Sequence, residues 1–505
     1  MSNKNVIVIL CDQLRADFLS CYGFEGIRTP NIDAIASEGV RFEHAVTASP
    51  VCAPARASMM TGRYVSDHGV WTNDMPFRSG MEYLPKRVNA LGYRTGCFGK
   101  LHHFPAADAK GFQTVCLMEE NRLKEKEDYL LWLKQQGKDA EDVFPIEDGK
   151  FPFEREFYYE SWIAEQAMEF IEKEASPFFA WISFQGPHTP LDPVKEVKYE
   201  EQNLSFQFHR DYKPACEVAN YRKQRLDGHF TDQDNIEYRE KYCNLIQELD
   251  FQIGRLRKFL KHIGQYDDTL IVFSADHGDL CGDYGMRQKG PYLYSAQLEI
   301  PLIVAHHPEL PKSVSSDILT GNLDIAATVL EFMGDDRPFG FSRDIATMYL
   351  KPEFQRDLVY SEFCDSVKII TSHEFRFAYY PFTGEHELIR LNREMIPLHE
   401  EQEYQNVVIR MLQQIIDFQV LSKGVNIEAQ DLTPLVQKGL SRKLPNYMEI
   451  IPLAFPIQSK QQIQNLAEAG LDTAYNEFCK NKNIIRSYGA YWDEFCFTYS
   501  EGETP

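Results

Sequence analysis

Nearly unbroken apolar runs constrain the fold of this chain more than any other feature. They cover residues 6–10, 178–184, 270–274 and 301–304. Helices cover both faces of a strand in a parallel sheet, so both of its side-chain rows are apolar and the run is continuous. The sequence therefore predicts an α/β fold in which a mostly parallel sheet is flanked by helices.

Helical patterns lie between these runs. Thr29 and Pro30 predict a helix start with Thr29 as the cap, and Gly39 predicts the end of that helix. Apolar side chains at helical spacing predict further helices at residues 157–174, 236–263 and 324–330. We interpret the charged face of the helix at 236–263 as a solvated surface.

The chain is too long for one core, and its pattern changes at about residue 352. With 505 residues we expect a catalytic α/β domain at 1–352 and a smaller domain at 353–505. Short alternating segments, such as those at 358–361 and 375–380, predict antiparallel strands in the second part, and residues 402–422 predict an amphipathic helix.

Three segments do not follow the alternation of strands and helices. Residues 104–155 and 190–235 are polar, charged and aromatic, and we expect these insertions to carry substrate recognition. The tail after residue 425 contains no motif, and we interpret its aromatic side chains as core packing within the chain.

Polar side chains follow two of the apolar runs directly. Asp12 follows the first run, and Asp276 and His277 follow the run at 270–274. Ligands of open α/β sheets bind where the strands end, so these side chains are expected to share one site. Carboxylate and imidazole groups together predict a divalent cation site.

Residues 52–63 combine a thiol, a helix start and two guanidinium groups. Pro54 fits a first helical turn and Gly62 a helix end, which predicts a helix at residues 53–61. Cys52 then lies at the helix N-terminus, where free N–H groups and the helix dipole favour an anion, and Arg56 adds positive charge one turn later. This pattern predicts a sulfate or phosphate site, although an arbitrary cysteine is more commonly a small buried hydrophobe.

These motifs resemble those of the sulfatase family. Cys-x-Pro-Ala-Arg at 52–56 with Met-Thr-Gly-Arg at 60–63 resembles the family signature, and further segments follow in family order. They are Gly-Lys-Leu-His at 99–102, Pro-His-Thr-Pro at 187–190 and Lys-Gly at 289–290. The resemblance covers residues 4 to about 400, with the specific motifs in the first 290.

The chain departs from most sulfatases at the metal pairs. Most members carry Asp-Asp and Asp-Asn there, whereas this chain has Asp12-Gln13 and Asp276-His277. The pairs resemble the branch that contains phosphonate monoester hydrolases and choline sulfatases. An imidazole in place of an amide oxygen moves the metal preference from Ca²⁺ towards ions such as Mn²⁺.

The resemblance implies a fold, a cofactor and a set of residue roles. The fold is an alkaline-phosphatase-like sheet flanked by helices, with a small C-terminal α+β domain. In a member of this family, Cys52 is converted to formylglycine by a formylglycine-generating enzyme. One divalent ion (Ca²⁺, Mn²⁺ or Mg²⁺) binds beside the modified residue. The implied metal ligands are Asp12, Asp276, His277 and residue 52, with Gln13 as an additional contact.

The remaining roles implied by the resemblance concern charge and proton transfer. Arg56, Lys100 and Lys289 meet the charge of the transferred group. His102 is the base that takes the proton of the second hydroxyl of residue 52. His188, with Lys289, protonates or polarises the leaving oxygen. Asn73 resembles a polar residue that lines the pocket in the Asp-Gln branch.

The resemblance predicts a sulfuric ester hydrolase acting on small organic sulfates, with sulfated sugars or glycosaminoglycan-derived oligosaccharides as the expected class. One alternative is a phosphonate or phosphate ester hydrolase that uses the same site, and another is a choline or aryl sulfatase. A third alternative is a catalytically silent binding protein in which Cys52 is never converted.

Composition excludes some partners and suggests a compartment. The formal charge of −22 argues against nucleic acid as a partner. We expect a cytoplasmic protein, because the first residues enter a strand without a signal peptide, no apolar stretch spans a membrane, and the eleven cysteines lack paired spacing. A homo-oligomer remains an open alternative.

Overall fold

The computed structural model describes residues 5–138, 143, 151–173, 177–194, 230–364, 366–381, 384–391, 396–398 and 401–421. The predictions for the tail after residue 425, and for most of the insertion at 190–235, lie outside the described residues. No helix in the described part of the chain is both long and apolar enough to cross a membrane.

The larger sheet has eight strands, ordered β4-β3-β5-β1-β6-β7-β2-β8. They are β1 (Asn5–Asp12), β2 (Gly39–Val46), β3 (Arg94–Gly99), β4 (Thr114–Leu117), β5 (Phe178–Pro187), β6 (Thr269–Ala275), β7 (Leu302–Ala305) and β8 (Val314–Gly321). The first three apolar runs form the adjacent central strands β5, β1 and β6, which are parallel and buried along their whole length. The predicted mostly parallel sheet is therefore confirmed. Strand β7 is an inner strand as expected, but it is antiparallel to both of its neighbours.

Helices flank this sheet. They are α1 (Pro30–Ser37), α2 (Cys52–Thr61), α3 (Val65–His68), α4 (Leu84–Ala90), α5 (Asp128–Gln135), α6 (Tyr159–Lys173), α7 (Asp232–His262), α8 (Ser295–Leu298), α9 (Asp324–Phe332) and α10 (Ile345–Leu350). The predicted helices at 53–61, 157–174, 236–263 and 324–330 are present, with ends shifted by a few residues at most.

Two details of the helix predictions need correction. Thr29 is the N-cap residue of α1 and Pro30 begins the helix, as predicted, but the Thr29 side chain makes no cap hydrogen bond; instead Asp250 Oδ1 accepts from the N–H groups of Asn31 and Ile32, both at 2.9 Å. The charged residues of α7 are also not all solvated, because Arg239, Glu248 and Asp250 are buried. Several of these charged side chains bond to neighbouring elements of the fold. The helical periodicity of the sequence does not reveal such contacts.

The smaller sheet is antiparallel, with the order β13-β12-β11-β10-β9. Its strands are β9 (Val359–Phe363), β10 (Val367–Thr371), β11 (Phe375–Tyr380), β12 (Glu385–Arg390) and β13 (Ile396–Pro397), and α11 (Gln405–Leu421) packs on it. Met411 and Ile415 of α11 pack with Ile370 and Phe377 of the sheet. The antiparallel strands and the helix at 402–422 are thus confirmed, while the domain boundary at residue 352 stays a prediction.

The segment at 104–155 is not purely an insertion. It contributes the edge strand β4, which pairs in parallel with β3, and the helix α5. Because β4 is parallel to β3, β5 and β1, it ends at the same edge of the sheet as Asp12. Residues directly after β4 are therefore brought close to the strand ends that carry the carboxylates.

Gly62 ends α2 in the left-handed region, with φ of 64°, and a Cβ there would clash with the carbonyl oxygen of Phe339. Gly264, after α7, has φ of 69° but open space around it. We expect Gly264→Ala to cost about 1 kcal/mol from backbone strain alone. Gly62→Ala should cost a further ~1–3 kcal/mol because of the clash. Urea unfolding of both variants measures the loss in free energy of unfolding. Equal losses in the two variants would contradict the effect of the clash.

Candidate active site

Four potential ligand groups meet where the central strands end. Asp12 is the last residue of β1, Asp276 and His277 follow the adjacent parallel strand β6, and Cys52 begins α2. One ligand atom from each of the four lies within 4.8 Å of the others, and all four side chains are buried. The predicted convergence of these residues on one site is therefore present in the structure.

Cys52 lies at the centre of this group. Its Sγ atom is 3.0 Å from His277 Nε2 and 3.5 Å from Asp12 Oδ1. Under the family resemblance, Sγ stands in for an oxygen of the oxidised and hydrated side chain. A nucleophilic oxygen at residue 52 would thus lie directly beside the carboxylate and imidazole groups.

His277 is prepared to act as a neutral ligand. Burial lowers its pKa to about 4, although the carboxylates of Asp276 and Asp12 act in the opposite direction. Its Nδ1 lies 2.9 Å from the carbonyl oxygen of Gly278, which fixes the proton on Nδ1. Nε2 then directs a lone pair at the site, 3.8 Å from one oxygen of each carboxylate. This is the usual arrangement of a histidine that ligates a metal.

The carboxylates are fixed as firmly as the imidazole. Asp276 Oδ1 accepts from the backbone N–H groups of Gln13, at 3.0 Å, and His277, at 2.9 Å. Burial raises the pKa of Asp12, but the charges of Lys100, His188, Arg56 and Lys289 outweigh it and hold that pKa well below its usual range. Two anionic oxygen donors and a neutral imidazole fit a divalent cation.

Arg56 forms a hydrogen bond with each of the two carboxylates. Its Nε donates to Asp276 Oδ2 at 2.8 Å, its Nη2 to Asp12 Oδ2 at 3.1 Å and its Nη1 to Ser183 Oγ at 2.7 Å. The side chain is only 1% exposed. Although burial opposes the charge, the carboxylates of Asp276 and Asp12 raise the pKa of Arg56 further, so it is a permanent cation in the site.

Lys100 and His188 are linked by a residue that the sequence did not single out. The Lys100 ammonium lies 2.8 Å from Asp12 Oδ2 and 3.1 Å from Glu120 Oε2. The other oxygen of Glu120 lies 3.2 Å from His188 Nδ1. Burial and the charges of Lys289 and Lys100 lower the pKa of His188, but Asp12 and Glu120 outweigh them and raise it to about 9. His188 is therefore an imidazolium at neutral pH.

Gln13 and Lys289 form the opposite side of the site. Lys289 Nζ donates to Gln13 Oε1, and Gln13 Nε2 donates to Asp279 Oδ2. Gln13 has a left-handed backbone, with φ of 67°, and its carbonyl oxygen accepts from the Tyr242 hydroxyl at 2.5 Å. The amide oxygen of Gln13 thus orients Lys289, and its predicted role as a metal contact stays a prediction.

His102 and Asn73 complete the set of predicted site residues. His102 is buried, and its pKa lies well below the usual range because of burial and then the charges of Arg122, Lys100 and Arg56. Its Nδ1 has no hydrogen-bond partner among the described residues. Asn73 Oδ1 accepts from Ala53 N–H at 3.1 Å and so caps α2 beside Cys52. A pocket-lining role for Asn73 stays a prediction.

Sequence reasoning missed two acidic residues of this site. Glu120 follows the short edge strand β4, and Asp279 follows Asp276 by three residues. The acidic pair Glu119-Glu120 after an apolar Leu117-Met118 was the available signal, but it lay within a segment treated as an insertion. Asp279 Oδ1 accepts from Cys281 N–H at 2.6 Å and Gln288 N–H at 3.0 Å, and so holds the loop that carries Lys289.

Comparisons with known proteins identify the family of the chain. The family model described as Sulfatase matches residues 4–335. An arylsulfatase of Clostridium perfringens is 27% identical over 447 residues, which cover 79% of this chain and 91% of that protein. An N-acetylglucosamine-6-O-sulfatase of Bacteroides thetaiotaomicron is 25% identical over 417 residues, covering 70% of this chain and 71% of that protein.

A solved structure supports the fold. The phosphonate monoester hydrolase of Agrobacterium radiobacter superposes with a TM-score of 0.72 at 21% identity, covering 83% of this chain and 96% of that one. The family match spans the sheet, Cys52 and both metal pairs. The chain belongs to the sulfatase family, the sulfuric ester hydrolases of the alkaline phosphatase superfamily.

Proposed function

We propose that this chain hydrolyses sulfate monoesters of small organic alcohols, with residue 52 as formylglycine and its hydrate as the nucleophile. The observation that carries the proposal is the position of Cys52 at the N-terminus of α2, within 4.8 Å of the ligand atoms of Asp12, Asp276 and His277. Intact Cys-x-Pro-x-Arg at 52–56 supports the conversion, since the modifying enzyme reads this pattern in the family.

The donor set fits the divalent cation that the family uses. Asp12, Asp276 and His277, with residue 52, would hold it, and we propose Mn²⁺, Ca²⁺ or Mg²⁺ as the ion. When bound, the ion acts as a Lewis acid and lowers the pKa of hydroxyl groups near it. Arg56 prevents the two buried carboxylates from moving apart, because it donates a separate hydrogen bond to each.

Fixed positive charges surround the position of the sulfate group. Arg56 and Lys100 pair with Asp12, Lys289 is bonded to the adjacent Gln13, and the N-terminus of α2 carries Cys52 itself. Preorganised charge of this kind is the largest catalytic contribution in many enzymes, and one donor is worth roughly 3 kcal/mol. A sulfate monoester would therefore be attacked at sulfur by one hydroxyl of the residue 52 hydrate.

Two histidines divide the proton transfers. His188 is protonated at neutral pH, so it can donate a proton to the alcohol oxygen as the S–O bond breaks. His102 is neutral, so it can accept the proton of the second hydroxyl of residue 52. Loss of that proton re-forms the carbonyl, expels sulfate, and leaves an aldehyde that water hydrates again.

Sulfated sugars are the substrate class that we favour. The similarity to an N-acetylglucosamine-6-O-sulfatase supports this class. A phosphonate or phosphate ester hydrolase with the same site is the second candidate, favoured by the Asp12-Gln13 and Asp276-His277 pairs and by the fold of the Agrobacterium hydrolase. Choline or aryl sulfates are a further alternative. The cytoplasmic location, the maturation partner and a homo-oligomer stay predictions from the sequence.

Parallel assays on 4-nitrophenyl sulfate, N-acetylglucosamine 6-sulfate, choline sulfate and a phenyl phosphonate ester test the proposal. We expect sulfate release from the wild-type protein, and no turnover by Cys52→Ala because the nucleophile is absent. Mass spectrometry of the tryptic peptide should show a loss of about 18 Da at residue 52, from CH₂SH to CHO. A phosphonate preference of several orders of magnitude, or an unchanged thiol in protein from the native host, would contradict the proposal.

Removal of the metal tests the ligand assignment. Dialysis against a chelator should abolish sulfate release, and added Mn²⁺ or Ca²⁺ should restore it. Asp276→Asn should lower metal affinity by more than the roughly 10–100-fold typical of partners outside the ligand set. Asp74→Asn is the control, since Asp74 contacts Arg122 rather than the cluster. Unchanged metal content of Asp276→Asn, measured by elemental analysis, would show that the ligand set is wrong.

The pH profile tests His188 as the acid. Because its protonated form donates, kcat/KM should be retained below its pKa and decline as the pH rises through about 9. His188→Gln should lose roughly 10²–10⁴-fold in kcat/KM and lack this alkaline decline. If His188→Gln kept the wild-type pH profile of kcat/KM, the alkaline decline would belong to another group.

A further inference from the structure

We propose that Glu120 is the positioning residue of the leaving-group acid, a single carboxylate that orients His188 with one oxygen and holds Lys100 with the other. This inference rests on the proposed function, because it takes His188 as the acid. It adds a residue that lies outside every motif on which the family resemblance was based.

The geometry gives each partner its own oxygen. Glu120 Oε1 lies 3.2 Å from His188 Nδ1, and Oε2 lies 3.1 Å from Lys100 Nζ. The Glu120 side chain is 20% exposed, that of His188 is 16% exposed and Lys100 is fully buried. Water is thus largely excluded, and the attraction between these charges is stronger than at a protein surface.

The contacts of His188 decide which ring nitrogen can act on a substrate. Nδ1 lies against Glu120, bonds with the Thr189 carbonyl oxygen, and is 3.2 Å from Gln185 Nε2. Among the described residues, each recorded contact of the ring is made at Nδ1. The Thr189 carbonyl oxygen, which accepts the bond, and the negative charge of Glu120 beside it therefore keep a proton on Nδ1 and leave Nε2–H as the donor.

The chemical step follows from this arrangement. His188 Nε2 gives its proton to the alcohol oxygen while the S–O electron pair moves onto that oxygen. His188 then becomes a neutral imidazole that still carries its Nδ1 proton, bonded to the Thr189 carbonyl oxygen beside Glu120. The carboxylate stabilises the imidazolium before the step and fixes the ring in one tautomer after it, as the aspartate does in a serine-hydrolase triad.

The fold keeps Glu120 at this place. The neighbouring Glu119 is buried, and its Oε1 accepts from Leu101 N–H at 2.6 Å and His102 N–H at 2.9 Å. The loop after β3 that carries Lys100 and the loop after β4 that carries Glu120 are therefore joined. Burial acts to raise the pKa of Glu120, but Lys100 and His188 lower it to about 2, so it is an anion throughout the working range.

The test compares two substrates of similar shape that differ in leaving group. Phenyl sulfate releases a far more basic phenolate than 4-nitrophenyl sulfate, so it depends more on proton donation. For Glu120→Gln we expect kcat on phenyl sulfate to fall on the order of 10²-fold, and kcat on 4-nitrophenyl sulfate to fall only a few-fold. KM should stay within about threefold on both, because Glu120 acts on the acid rather than on binding.

Controls separate positioning from a structural role. Glu169→Gln removes a half-exposed carboxylate that forms an ion pair with Lys173 on the surface of α6, and turnover of both substrates should be unaffected. Glu120→Asp keeps the charge but is one methylene too short to reach both partners, so it should give an intermediate difference between the substrates. If Glu120→Gln does not fold, as judged by thermal unfolding, Glu120→Asp alone supplies the comparison.

The outcomes distinguish this inference from the function on which it rests. Equal losses on the two substrates, or a change confined to KM, would overturn the positioning role and leave the sulfatase proposal intact. Turnover of neither sulfate by the wild-type protein, with residue 52 in its aldehyde form, would overturn both. A larger loss on phenyl sulfate in both Glu120 variants would support the inference.

Discussion

The structure of this site depends on the burial of two carboxylates side by side. Asp12 and Asp276 end adjacent parallel strands, both are fully buried, and Arg56 donates to one oxygen of each. Two like charges in a medium of low dielectric repel strongly, so the pair is stable only with compensating positive charge. The Arg56 guanidinium supplies part of this charge, and the divalent cation that we propose would supply the rest. The helix α2 carries both Arg56 and the proposed nucleophile position, Cys52.

Charges of alternating sign extend from this pair to the leaving-group side. Asp12 contacts Lys100, Lys100 contacts Glu120, and Glu120 contacts His188. Each member has a partner of opposite sign within 3.2 Å, so removal of one changes the charge balance of its neighbours. Ion pairs therefore connect the proposed metal ligands to the proposed acid, although different loops carry these groups.

The departures from the usual sulfatase pairs have a structural meaning. His277 contributes a neutral nitrogen whose orientation is fixed through Gly278, and Gln13 connects Lys289 to Asp279 by its side-chain amide. A second aspartate at position 13 would add negative charge and could not donate to Asp279 as the amide does. With glutamine at position 13, the site has one negative charge fewer and Lys289 is held by the amide oxygen.

The sequence alone determined the central strands, the helix at Cys52, and most residues that converge on the site. Continuous apolar runs and a short-range motif carry this information locally, because strand burial and helix ends depend on neighbouring residues. It did not reveal the antiparallel direction of β7, the cap that Asp250 supplies to α1, or the edge strand β4 with Glu120 behind it. Four residues at a half-exposed sheet edge have no distinctive period, and contacts between residues far apart in the chain leave no local pattern. Only the tertiary structure, in which parallel strands end at a common edge, decided that Glu120 stands between Lys100 and His188.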